Sequence, residues 1–202
     1  MKFKNLSQEA KVRAALRSNL RYWFKQASTD EFNDGLQWYK RANDACKFMS
    51  HMAPMLQVAG TVSALSPNNK WARNLQDAEN VLAAVVEDRP ADSVKVCTYN
   101  ANKLKAFEIA RGNQQILRQS PKTYAFAKNV GELDPEFVTV DVWHLRACQT
   151  RSLSRKKVAE SVTPLQYKII AEETKKVAQE FGLKGYEFQA IVWVTIRNRW
   201  TT

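Results

Sequence analysis

Two residues stand out for the chemistry that their types and spacing allow. Asp141 follows the apolar run Phe137-Val138-Thr139-Val140, and Lys122 lies nineteen residues upstream in Ser120-Pro121-Lys122-Thr123. An acid behind a buried run and at the head of a helix is fixed and partly desolvated. Such a carboxylate stabilises the positive charge that develops on a sugar as an N-glycosidic bond breaks, and it can deprotonate an attacking water or amine. A lysine can attack the same carbon as a free amine, giving a Schiff base and then strand cleavage, once burial or a nearby cation lowers its pKa. Each residue also has a plainer reading. Aspartate is a favoured N-cap and needs no chemistry there. Lys122 can be an ordinary surface or phosphate-contacting lysine in the first turn of a helix. The helix dipole disfavours a cation at that end, which points toward a ligand or a functional amine.

Other residues could serve the same chemistry. A base stacked in a duplex must be swung out before its glycosidic bond is reached, and the hole must be filled. Asn68 and Asn69 offer donors and acceptors suited to a base edge; as a turn ahead of a helix at Trp71 they need no ligand. Tyr99, Tyr124 and Trp143 are candidates for a base-pocket wall or for plain packing. His144, three residues after Asp141, reads as a supporting hydrogen-bond partner or a general acid. Lys70, Arg73, Arg118, Gln119, Ser120, Arg146 and Arg155 are candidate contacts for an anionic ligand, DNA if the resemblance given below holds, and Arg151–Lys157 otherwise reads as solvated basic surface.

The composition supports a polyanionic partner. The 202 residues carry 31 Lys+Arg against 20 Asp+Glu, a formal charge of +11 with a pI near 9.7. Nucleic acid is the simplest partner for that surplus, while an anionic membrane surface or charge kept for solubility alone fits it as well. A hydrophobic content of 45% with 10% aromatics excludes an intrinsically disordered chain. Cys46, Cys97 and Cys148 are odd in number and widely spaced, so neither a disulfide framework nor a zinc or iron–sulfur motif follows. No metal or cofactor is called for. The charged start lacks the apolar core of a signal peptide, and the longest apolar run, Ala190 to Ile196, is far too short to span a bilayer. A cytoplasmic protein without a membrane partner is the expectation.

The elements that must position these residues read as helices almost throughout, roughly ten of them. Leu75, Ala78, Leu82 and Val85 form one stripe of a helix over Trp71–Glu87. Leu104, Phe107 and Ala110 are expected to face inward from the next helix. Gly131 is expected to terminate the helix that follows Pro121. Phe137–Val140 should be extended and buried. Thr163-Pro164-Leu165-Gln166 combines an N-cap, an N1 proline and a capping-box glutamine. That helix should run to Phe181 and stop at Gly182. In the last helix Phe188, Ile191, Val192 and Thr195 share a face. The class is all-α.

Three segments taken together, Val62–Leu82, Ser120–Val130 and Phe137–Cys148, resemble the helix-hairpin-helix DNA glycosylase superfamily, which includes endonuclease III and 8-oxoguanine DNA glycosylase. In that family a hairpin ends in a Lys followed by Thr and a helix. About twenty residues later an apolar run ends in an Asp that opens the next helix and is followed by an Arg. Lys122, Thr123, Val138, Val140, Asp141 and Arg146 occupy the corresponding places, and VSALSPNN is similar to the loop that enters the DNA stack. The resemblance covers residues 55 to 150. Two departures stand out. The family hairpin carries two glycines whose amides bind a phosphate, whereas this stretch is Leu117-Arg118-Gln119-Ser120-Pro121. The four-cysteine loop of many endonuclease III relatives is absent after Cys148.

The resemblance implies a two-lobed helical fold with a cleft. One lobe would span 54–130, with a degenerate hairpin, and the other 1–53 with 131–202, carrying Asp141. It implies a monomer in a bacterial or phage-infected cell that flips a modified or damaged base from double-stranded DNA and removes it, with or without lyase activity. Two other readings fit the same residues. One is a glycosylase-fold transferase that acts on activated hydroxymethyl-uracil in phage DNA. The other is an inert DNA-binding module in which Asp141 is only a cap.

Overall fold

The computed structural model describes residues 6–153 and 158–200. The protein is all-α: helix makes up 72% and no strand occurs among the described residues. The helices are α1 (Leu6–Lys25), α2 (Thr29–Phe48), α3 (Met55–Leu65), α4 (Trp71–Val86), α5 (Asn100–Ala110), α6 (Gln114–Arg118), α7 (Pro121–Glu132), α8 (Val142–Gln149), α9 (Pro164–Glu180) and α10 (Gly185–Arg199), with one 3-10 turn at Ala91–Ser93. None of the described helices is long and apolar enough to cross a membrane.

Packing divides the chain into two units, residues 1–39 with 135–202 and residues 40–134. The first division falls inside α2, upstream of the boundary at residue 54 read from the sequence. The reason is Asn43, which is buried and donates through Nδ2 to Val130 O at 2.7 Å and Gly131 O at 2.9 Å. The second half of α2 is thereby tied to the end of α7.

In the 40–134 unit, α3 packs against α4, α5, α6 and α7. Its sequence is apolar or small on every side, and every residue from Val58 to Leu65 is buried. Gly131 does not end α7, which runs on to Glu132 and closes on Leu133 in the left-handed region (φ 51°). Gly131 is instead a point of close approach: a Cβ there would stand 2.9 Å from the Cβ of Ala59 on α3. On α5, Phe107 and Ala110 face inward as expected, but Leu104 is 48% exposed. The buried positions of α5 are Ala106, Phe107, Ile109 and Ala110, a narrower stripe that leaves Leu104 outside.

In the other unit, α1 packs against α8, α9 and α10, and α10 against α8 and α9. Leu20, Trp23, Leu145, Ile170, Phe188, Val192 and Ile196 form its core. Phe188, Ile191, Val192 and Thr195 are all buried on α10. The capping box of α9 forms as read: Gln166 N donates to Thr163 Oγ1 at 3.3 Å, and Thr163 N to Gln166 Oε1 at 2.9 Å. Gly182, at φ 70°, lies just beyond the end of α9. Glu173 of α9 is fully buried and is bonded by Arg13 and Arg17 of α1 and by Lys176. Burial opposes its charge, but the bonds from Lys176, Arg17 and Arg13 prevail and hold the carboxyl below the ordinary range. Part of the cationic surplus of α1 is thus spent within the fold.

Candidate functional site

Phe137–Val140 lies outside any helix, with Val138, Thr139 and Val140 buried, and one phenol fixes its course. Tyr167 Oη of α9 donates to Val138 O at 2.9 Å and accepts from Val140 N at 3.1 Å. The run therefore delivers Asp141 to the head of α8 with little freedom. Asp141 Oδ1 accepts the backbone N–H of His144 at 2.8 Å, an N-cap bond. Its Oδ2 accepts the indole N–H of Trp193, on α10, also at 2.8 Å.

The surroundings of this carboxylate come from four helices of one unit. A Cβ on Gly35 would collide with the backbone of Ile191, so only glycine lets α2 lie this close to α10. That approach places Tyr39 Oη 2.8 Å from Gln189 Oε1, to which it donates. It also sets Trp38 beside Trp193, with ring centroids 5.8 Å apart. The guanidinium of Arg197 lies over the Trp193 ring, 4.8 Å from its centroid. Burial raises the Tyr39 phenol far above its ordinary range despite its bond with Thr139, and the charge of Asp141 adds to the rise. Burial raises Tyr167 in the same way. Both phenols stay neutral at every working pH. Asp141 remains partly exposed, and each carboxylate oxygen has a second lone pair beyond the bond described.

Lys122 is the second residue of α7 in the other unit, partly exposed, with no side-chain hydrogen bond or ion pair among the described residues. The turn before it is built without glycine. Ser120 is the N-cap, its Oγ accepting from Thr123 Oγ1 at 3.0 Å and from Thr123 N at 3.4 Å. Pro121 fills the N1 position, where a missing N–H costs nothing. Only Gln119 and Ser120 separate α6 from α7. Arg118 and Gln119 are exposed, and the Arg118 guanidinium lies 5.7 Å from the centroid of the partly buried Tyr124 ring.

The two asparagines have different fates. Asn68 is exposed, in the left-handed region at φ 56°, and donates to Tyr99 Oη at 2.8 Å. Tyr99 is itself 64% exposed, at the head of α5. Asn69 is spent inward, donating through Nδ2 to Asp77 Oδ2 at 2.9 Å. Asp77 is fully buried and also accepts from Arg73 Nε and Cys97 N, each at 2.7 Å. It ties the 66–70 loop to the 97–99 segment. Lys70 is exposed at the head of α4, while Arg73 shares its guanidinium with Asp77.

Trp143 and Arg146 lie in one stack. The Arg146 guanidinium is 4.6 Å from the Trp143 ring centroid and 5.0 Å from that of Trp200, and it bonds Glu160 at 3.0 Å. Its side chain is only 16% exposed, which leaves little of it for a phosphate. His144 is fully buried, with Nε2 2.9 Å from Thr174 Oγ1. That hydroxyl donates to Ile170 O, so the histidine supplies the proton of the pair. Burial lowers its pKa to about 3, so it remains neutral. Arg155 lies outside the described residues.

Trp193, Tyr39, Tyr167 and Gln189 were not singled out by the sequence. Trp193 lies 52 residues from the acid it holds, and no local spacing links them. The one available signal was an indole off the apolar stripe of the last helix.

The family described as "Family of unknown function (DUF7178)" matches residues 2–200. No curated protein and no solved structure matches the chain.

Proposed function

The chain belongs to this family of unknown function, and from its own residues we propose that it is a base-excision DNA glycosylase. The carrying observation is Asp141, a partly exposed carboxylate whose two oxygens are oriented by the α8 amide and by an indole of α10. In this reading a modified base is everted from duplex DNA and Asp141 faces the anomeric carbon. As the glycosidic bond breaks, its electron pair leaves with the base. The developing positive charge on the sugar is met by the carboxylate, which takes the proton from the water that adds there. Arg118, Gln119 and Ser120 would contact a backbone phosphate by side chains where the resembling family uses glycine amides. Asn68, held out by Tyr99, would address the partner base. Lys122, with no internal partner among the described residues, would contact a phosphate or attack the sugar as an amine.

The test is a panel of duplex oligonucleotides carrying different lesions, assayed for abasic sites, nicks and borohydride-trapped adducts. Abasic product that Asp141→Asn abolishes supports the reading. The variant removes the charge at nearly constant size, but its single oxygen can serve only one of the two donors, so its fold is checked by circular dichroism beside the assay. Nicks and adducts lost in Lys122→Ala assign the amine to lyase chemistry. Salt-sensitive binding with no base released from any duplex overturns the enzyme reading in favour of a binding module. A mass gain on hydroxymethyl-uracil DNA supplied with amino acids replaces hydrolysis by transfer.

A further inference from the structure

We infer that Trp193 is a positioning residue for the Asp141 carboxylate, and that Arg197 holds the indole in place from the other side. The inference gives the proposed reaction its second anchor, and it rests on that reading only for its catalytic consequence. The N-cap bond fixes one oxygen. The indole N–H at 2.8 Å fixes the other. Two donors from two helices define the plane of the carboxylate, and with it the direction of the remaining lone pairs. An indole is suited to the task because it donates and does not accept, so it cannot take the proton that the acid must carry.

The ring is itself fixed. Arg197 lies over it at 4.8 Å from the centroid and Trp38 packs beside it at 5.8 Å. Trp193 is partly exposed while its helix neighbours Val192 and Val194 are buried. Groups that act on Asp141 include the His144 N–H on α8, the Trp193 N–H on α10, and the neutral phenols of Tyr39 on α2 and Tyr167 on α9. The indole bonds the carboxylate directly through its N–H. A donor aimed at the ionised form favours that form, so its removal makes the acid easier to protonate.

The experiment follows the Asp141 carboxyl carbon by NMR titration in the full chain. Trp193→Phe keeps an aromatic ring under Arg197 and deletes the donor. The titration midpoint should rise by on the order of one pH unit, as expected for one charge-assisted bond. The acid limb of the rate profile should move with it, and kcat should fall more than KM changes. Trp200→Phe, which takes an indole from the Arg146 stack, should leave the midpoint in place. Arg197→Gln should shift it by a smaller amount in the same direction. In the unsubstituted chain the Trp193 indole proton should resist exchange, and Asp141→Ala should release it. An unmoved midpoint in folded Trp193→Phe, or a freely exchanging indole proton in the unsubstituted chain, overturns the inference even if base excision is observed. A shifted midpoint with no excision from any duplex leaves the positioning intact and removes the proposed reaction instead.

Discussion

The starts of α7 and α8 carry the two residues with the most chemistry to offer, and the fold treats them differently. At α8 the acid is held from two directions, by its own helix and by Trp193. At α7 the turn is as carefully made, with Ser120 as cap and Pro121 at N1, yet Lys122 is left without an internal partner among the described residues. A fold spends contacts on a group whose direction matters. A carboxylate that must face one carbon needs orientation, whereas an ammonium that meets a phosphate acts as a point charge and needs only reach. The difference favours Asp141 over Lys122 as the centre of the proposed reaction.

The widest gap between the two helix starts should appear on neutralising each in turn. Asp141→Asn should lower base release by at least about a hundredfold in protein that still unfolds cooperatively. Lys122→Ala should leave base release within a few-fold and lower duplex affinity, read from binding isotherms at two salt concentrations. Equal losses from both would break the contrast and make Lys122 a full partner in the chemistry.

The next effect concerns what stands behind Asp141. His144 is neutral in the folded chain, with a pKa of about 3, against an unfolded value near 6.5. Between those values the unfolded chain binds the additional proton, so this contribution to stability is complete above pH 6.5 and is lost as pH falls. Chemical denaturation should show about 2 kcal/mol lost from pH 6.5 to 5. His144→Gln should flatten that slope. A slope that survives the substitution would assign the acid sensitivity elsewhere, the Glu173 cluster being the first place to look.

A smaller effect sharpens the α7 side. Ser120→Ala removes the cap and should cost about 1 kcal/mol of unfolding free energy, measured by urea titration. If the turn also meets a phosphate, duplex affinity should fall several-fold in the same variant, while Asn113→Ala, which uncaps the neighbouring α6, should leave affinity nearly unchanged.

Much of the local structure was legible because its causes are local. Thr163, Pro164 and Gln166 specify a helix start within four residues, and that start forms as read. The stripe of α10 and the buried run before Asp141 follow from the same short-range logic. Gly131 and Leu104 were misread because each depends on a neighbour distant in sequence. A glycine near a helix end reads as a terminator until Ala59 of α3 is seen pressed against it. Arg146 shows the same limit at the candidate site. As a basic residue it reads as a phosphate contact, but the ring of Trp200, far along the chain, takes one of its faces.

The sequence by itself determined that the chain is helical, that it is strongly basic, and that Asp141 heads a helix behind a buried run. Periodicity, net charge and capping are properties of a few adjacent residues or of the whole composition, and folding does not alter them. Only the tertiary structure decided that Trp193 and the α8 amide share the carboxylate, that Tyr167 pins the strand-like approach to it, and that Asn69 serves Asp77 while Asn68 stays outside. Those assignments depend on which helices lie within about 3 Å of one another through their side chains, and hydrogen bonds of that range carry no trace in sequence spacing.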